Sequence, residues 1–256
     1  MLIRILLLAT VFLAGGSLMS LEMASFRLVQ PEFGSDIVVW GSLISVFLGG
    51  LSLGAFVGGR VADRAPRLWK LGAILGVAGA LTLLLPLPIL PGDGPEAERA
   101  SIADRVLEWM FPGEGAPLPE EWGTPSVSGE LAIYQPPDLR WPTLGVGAIL
   151  FGLPALLLGS VTPYTARLFI HSLGRVGTGV GQVSGFSTVG SIAGTLGTAF
   201  YLVTWMGTRG LLLSNGVVLV GLGVLLALAD AVHRGPVAAE ARPGNGSRKA
   251  EGASEA

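Results

Sequence analysis

The sequence predicts an all-α fold, a polytopic membrane helix bundle of about six transmembrane helices, and three observations lead there. Six apolar stretches run Ile5–Met23, Ile37–Gly58, Leu71–Leu90, Leu144–Tyr164, Val180–Trp205 and Leu211–Val232. Each approaches the roughly 20 residues that carry a helix through about 30 Å of hydrocarbon. Half of the 256 residues are hydrophobic and 13% are charged, about half the charged fraction of a soluble domain. No train of short alternating strands is present, as a membrane barrel would need, and lipid offers no partner to an unpaired backbone group. The stretches must therefore be helices.

In chain order, residues 1–90 hold the first three helices, 91–140 form the one sizeable segment outside the bilayer, 141–232 hold three more helices, and 233–256 are a tail. Arg4 followed by Ile5–Ala14 also has the makings of a signal peptide. No clean small-x-small cleavage site follows, and Leu18–Met23 prolongs the apolar run, so a retained helix is the favoured reading. Within 91–140, Ile102, Val106, Leu107 and Met110 recur at helical spacing, which predicts an amphipathic helix over Pro95–Phe111 in an acidic extracytoplasmic lid. The stretch Gly235–Ala256, rich in Gly, Ala, Ser, Glu and Arg, lacks apolar periodicity and is expected to be disordered.

Basic residues set the orientation. Arg4, the Arg60–Arg64–Arg67–Lys70 connection, Arg167 with Arg175, and Arg234 with the tail alternate with connections poor in Lys and Arg. Since cytoplasmic loops collect positive charge, both termini are expected on the cytoplasmic side of an inner membrane. Trp40, Trp141 and Trp205 then fall at the outer interface and Trp69 at the inner one.

Close packing through small residues is the expected glue, because lipid gives apolar faces no reason to associate. Gly50, Gly54 and Gly58 recur every fourth residue in the second helix, and Gly190 and Gly194 do so in the fifth, flanked by Ser187, Ser191, Thr195 and Thr198. Gly41, Gly50 and Gly54 match Gly181, Gly190 and Gly194 at one constant offset. That spacing suggests two related three-helix halves, inverted relative to each other as in many transporters.

Charges at bilayer depth are costly and usually purposeful. Glu22, with Arg27 and Gln30 after it, reads either as a proton or cation site paired with Arg27 or as an interfacial pair reaching water. Asp230, near His233 and Arg234, reads as a helix-end charge. Gly58–Arg64, with Asp63 and Arg64, looks like the Gly-x-x-x-Asp-Arg loop of major facilitator transporters, in which the Asp and Arg latch neighbouring helix ends. A plain positive-inside loop accounts for the same residues. Pro163 and Tyr164, with Arg167 after them, suit a bent helix beside a binding site or a helix exit. Cysteine is absent and the two histidines, His171 and His233, have no metal spacing, so neither a metal nor another cofactor is expected, and no catalytic residue is assigned.

Several separated motifs carry a family resemblance. Leu21–Ala24, Arg27, Pro31, Phe33–Ser35, Trp40–Ser42, Gly50–Gly54 through Asp63–Arg64, Thr162–Pro163, Ala166–Leu168, Ser187–Thr195 and Gly207–Arg209 resemble the membrane domain of the multispanning spermidine synthase-like proteins. In that family a cytoplasmic aminopropyltransferase domain typically follows the helices. Here the last helix is followed by the tail, without a Gly-rich strand-to-helix loop or paired carboxylates, so no synthase chemistry is expected of this chain.

Three functional classes remain: a membrane anchor or partner for a separate cytoplasmic aminopropyltransferase, a small-solute transporter for a polyamine or another cation, and a structural subunit of a membrane complex. The first is favoured by the resemblance. Expected partners are the lipid bilayer, that enzyme and a second copy of the chain, with no nucleic acid.

Overall fold

The computed structural model describes residues 2–64, 66–86, 140–170 and 176–240. All secondary structure among the described residues is helical. Helix α1 spans Leu2–Phe33, α2 Ile37–Arg64 and α3 Leu68–Leu84. Then come α4 (Arg140–Gly147), a π-helical turn (Ala148–Gly152) and α5 (Leu153–Phe169), which run on without a break. Likewise α6 (Val176–Gly197) passes through a second π-helical turn (Thr198–Leu202) into α7 (Val203–Glu240). Four helical runs are long and apolar enough to cross a membrane: Leu2–Gln30, Ile37–Arg64, Trp141–Phe169 and Val176–Val232; α3 is apolar but shorter. The fifth and sixth predicted stretches both lie in the last run, which Gly207 interrupts with φ 64° and ψ 177°.

Several boundaries differ from the sequence expectation, each for a local reason. Helix α1 continues past Met23 because Ala24, Ser25 and Val29 prolong its buried face. The expected connection Ser25–Asp36 thus shrinks to Gly34–Asp36. Gly34, at φ 77°, takes the left-handed conformation that ends helices, and its N–H bonds the Gln30 carbonyl at 2.8 Å. Asp36 then caps α2, its Oδ1 accepting from the Val38 N–H at 2.9 Å. Asp63 and Arg64 sit in the last turn of α2, not in a loop. Helix α5 runs through Pro163, and α7 extends to Glu240, into the expected tail, because a helix already nucleated propagates at little cost. The predicted helix at Pro95–Phe111, the acidic residues around it, and the tail from 241 lie outside the described residues.

The helices pair across the chain: α1 lies mainly along α6, α2 along α5, and α3 along α7. Glycine sets each pairing. A Cβ on Gly50 would sit 2.7 Å from the Ala155 Cβ, and one on Gly54 would strike the Leu156 carbonyl, so α2 and α5 meet backbone to backbone. On the α1–α6 pair, a Cβ on Gly190 would strike the Phe12 carbonyl and one on Gly194 the Gly16 carbonyl. Along α3 and α7, Gly72 faces Gly223 and Gly79 faces Gly216, with the oxygen of one 2.6–3.0 Å from the Cβ its counterpart would carry.

These contacts form matched sets. Exchanging residues 1–86 with residues 140–240 turns the α1–α6 pair into the α5–α2 pair and leaves α3–α7 unchanged. Gly15 approaches Ser187 and Ser191 as Gly159 approaches Leu51. Gly41 and Gly181, the outermost of the matched glycines, both face open space.

Candidate functional site

Polar groups gather in two clusters, one in the half of the bundle toward the Gly34 turn and one at the Pro66 turn, called here the Gly34 end and the Pro66 end. At the Gly34 end, Ser20 of α1 is the hub. Its Oγ accepts a hydrogen bond from Thr198 Oγ1 at 2.9 Å and from Asn215 Nδ2 at 2.8 Å. Asn215 also donates to the Leu211 carbonyl at 2.9 Å. All three side chains are buried, and Thr198 opens the second π-helical turn. A π turn widens the helix and often marks a functional position; here it carries a hydroxyl to a buried partner on α1. The sequence reading passed over Asn215 and Ser20. The available signal was an amide inside the apolar run Leu211–Val232, where an unpaired carboxamide would be costly.

At the Pro66 end, Tyr164 of α5 is fully buried, and its hydroxyl accepts from the Arg67 N–H at 3.0 Å and donates to the Arg67 carbonyl at 3.1 Å. Both backbone groups lie in the turn between α2 and α3, where the carbonyl also takes a longer bond from the Leu71 N–H at 3.4 Å, so the phenol ties the turn to α5. One turn further along α5, Arg167 Nε meets Asp63 Oδ1 at 3.3 Å. Of the two residues expected to form a loop latch, Asp63 meets Arg167 of α5, whereas Arg64 is exposed at the end of α2. Both members of the pair are at least half exposed, so it contributes under about 1 kcal/mol.

Glu22 is half-buried, whereas Arg27 and Gln30 are exposed. Among the described residues no ion pair joins Glu22 to Arg27. Five residues apart on one continuous helix, they point about 140° apart. Because α1 runs to Phe33, Glu22 also lies about 16 Å from the helix end, not one turn from it. Thr165 is fully buried and its Oγ1 has no hydrogen-bond partner.

The predicted packing glycines Gly50, Gly54, Gly58, Gly190 and Gly194 each touch an opposing helix. The remaining sequence candidates divide between the two ends: Glu22, Arg27 and Gln30 at the Gly34 end, and Asp63, Arg64, Tyr164 and Arg167 at the Pro66 end. The structure does not join them into one cavity. Trp40, Trp141 and Trp205 stand toward the Gly34 end and Trp69 toward the other. Trp141 and Trp205 are exposed, and Trp40 packs on Phe26 with ring centroids 4.4 Å apart. No family model, curated protein or solved structure matches the chain.

Proposed function

We propose that this chain is a six-crossing inner-membrane protein, built as two inverted three-helix halves, that serves as the membrane partner of a separate cytoplasmic aminopropyltransferase. Six crossings follow from length. The run Val176–Val232 holds 57 residues, about 85 Å as a straight helix, nearly three bilayer cores. A reversal at Gly207 makes it two crossings, and α3, 17 residues long, supplies the sixth with modest thinning or a short extension. The Pro66 end is then cytoplasmic, as its basic residues require.

One observation carries the partner reading. The motif segments resembling the spermidine synthase-like membrane domain, Asp63–Arg64 on α2 and Thr162–Pro163 with Ala166–Leu168 on α5, converge at the Pro66 end. There Asp63 and Arg167 form an exposed charged pair on the face available to a soluble enzyme. Purification of the tagged chain from its native membrane in mild detergent, followed by mass spectrometry, tests it. A stoichiometric aminopropyltransferase that loses contact with an Asp63→Lys/Arg167→Glu variant is expected; its absence would refute the reading.

A second reading, transport of a small cation such as a polyamine, draws support from the matched packing of the two halves, the arrangement of many secondary transporters. Uptake of labelled putrescine into reconstituted vesicles is its test.

A further inference from the structure

We infer that the exposed face of α2 at the Pro66 end holds the phosphate of an anionic phospholipid between Arg60 and Arg64, with Leu53, Phe56 and Val57 bedding an acyl chain. The inference rests on the membrane-spanning reading and on neither proposed activity.

The two arginines lie one helical turn apart, which puts their Cβ atoms about 5–6 Å from each other on one side of the helix. Both are exposed. Leu53 and Val57 continue the same stripe at helical spacing, and Phe56 stands beside them, one turn before Arg60. All three apolar side chains are exposed. The opposite face of α2, which carries Gly50, Gly54 and Gly58, is the one pressed on α5, so the stripe faces away from that contact.

Charge on this face is unbalanced. Arg60 turns back along the helix, with its Nη1 3.4 Å from the Phe56 carbonyl and its guanidinium 6.0 Å over the Phe56 ring. A guanidinium carries five N–H donors, and this carbonyl takes one of them near the outer limit of a hydrogen bond. Among the described residues, neither Arg60 nor Arg64 has an ion pair. The carboxylate nearest in sequence, Asp63, meets Arg167 of α5 instead.

Depth selects the ligand. Arg64 is the last residue of α2, and Arg60 stands about 6 Å nearer the membrane centre. A guanidinium is costly in hydrocarbon and reaches for the headgroup layer. A lipid phosphate meets it there, whereas an acidic soluble protein would have to enter the membrane. Each planar fork matches two phosphate oxygens, and a headgroup with net negative charge complements two cations better than one whose ammonium cancels its phosphate. The acyl chain then runs from the phosphate along Val57, Phe56 and Leu53 toward the membrane centre.

The test titrates the detergent-solubilised protein with phosphatidylglycerol or with phosphatidylcholine of the same chains, and counts bound lipid by native mass spectrometry. Preferential retention of phosphatidylglycerol is expected. Arg60→Gln and Arg64→Gln should each weaken it about 5-fold, and the double variant roughly 25-fold. Arg4→Gln removes the same charge from the same end, on α1, where the guanidinium lies over the Phe169 ring, and should leave retention unchanged. All three arginines are exposed, so the packed faces stay intact, which circular dichroism checks. Equal retention of the two lipids would overturn the inference, as would a loss from Arg4→Gln equal to that from Arg60→Gln, the mark of a diffuse field without a site. Glycerol phosphate, the anion without the chains, should not displace the bound lipid at equal concentration; displacement would make this a site for soluble phosphate and overturn the lipid reading. None of these outcomes depends on uptake or on a bound enzyme, so a failed activity reading would leave the test intact.

Discussion

A pair of glycine-to-alanine changes on one helix measures what holds the bundle together. Gly54 and Gly49 both lie in α2, so each substitution adds the same methyl group and gains the same helix propensity, about 1 kcal/mol in a soluble host. Their surroundings differ. A Cβ on Gly54 would collide with the Leu156 carbonyl and lie 2.9 Å from the Leu156 carbonyl carbon and 3.0 Å from the Ser160 nitrogen; Gly49 has nothing within 4 Å. The neighbours of Gly54 are backbone atoms of α5, which cannot rotate aside, so α2 and α5 must separate along the whole crossing. Overpacking of this kind costs about 1–3 kcal/mol, and the propensity gain cancels in the comparison. Gly54→Ala should therefore be less stable than Gly49→Ala by that amount, roughly 5- to 150-fold in the unfolding equilibrium. Unfolding by sodium dodecyl sulfate in mixed micelles, followed by circular dichroism, gives both values. Equal stabilities would refute backbone contact between α2 and α5 as the source of packing.

The polar hubs and ends make further predictions. Ser20→Ala removes the acceptor shared by Thr198 and Asn215 and should cost about 0.5–2 kcal/mol, the range seen for hydrogen bonds between membrane helices; in the same titration, Asn215→Leu on that background should recover part of the loss. Tyr164→Phe removes two hydrogen bonds to the Arg67 backbone, each worth about 0.5–1.5 kcal/mol, whereas Asp63→Asn, which breaks an exposed ion pair, should cost under about 1 kcal/mol; a larger loss for Asp63→Asn would reverse their assignment. On the transport reading, Glu22→Gln should abolish putrescine uptake at unchanged expression, and unchanged uptake would remove Glu22 from the path. For orientation, cysteines at Ser101 and Ser247 should react with an impermeant maleimide in intact cells at the first position and not at the second; the opposite result would invert the topology.

The helices were legible because lipid leaves the backbone one solution, and apolar length alone reveals it. Their ends were less so. The residues Ala24–Phe33 look like a connection by hydropathy, yet Val29 is buried and keeps α1 helical; burial against other helices is a tertiary fact that a hydropathy window does not contain. The same limit hid the partner of Asp63. Arg64 is adjacent in sequence, but adjacent helical side chains diverge by about 100°, and Arg167 reaches Asp63 because α5 lies along α2. Asn215 was visible as an amide among aliphatic residues; that its partner is Ser20, 195 positions away, was not.

The glycine contacts show how a regularity of packing can be half seen. The glycines of α2 and α6 stand 140 positions apart, as Gly50 and Gly190 do, and one constant shift finds them. Across the other helices the equivalent separation is 144: Gly15 with Gly159, Gly72 with Gly216, Gly79 with Gly223. A comparison at a single offset therefore misses two helices in three. The difference is four residues, close to one helical turn, and it falls between elements, where it changes a connection and leaves each packing face intact. What is preserved is the set of backbone approaches, which demands only glycine or another small residue at a few points and leaves the rest of each helix free to diverge. Such a pattern of contacts becomes visible once the packing is known, because the constraint acts on the distance between helices and only indirectly on the identity of most residues.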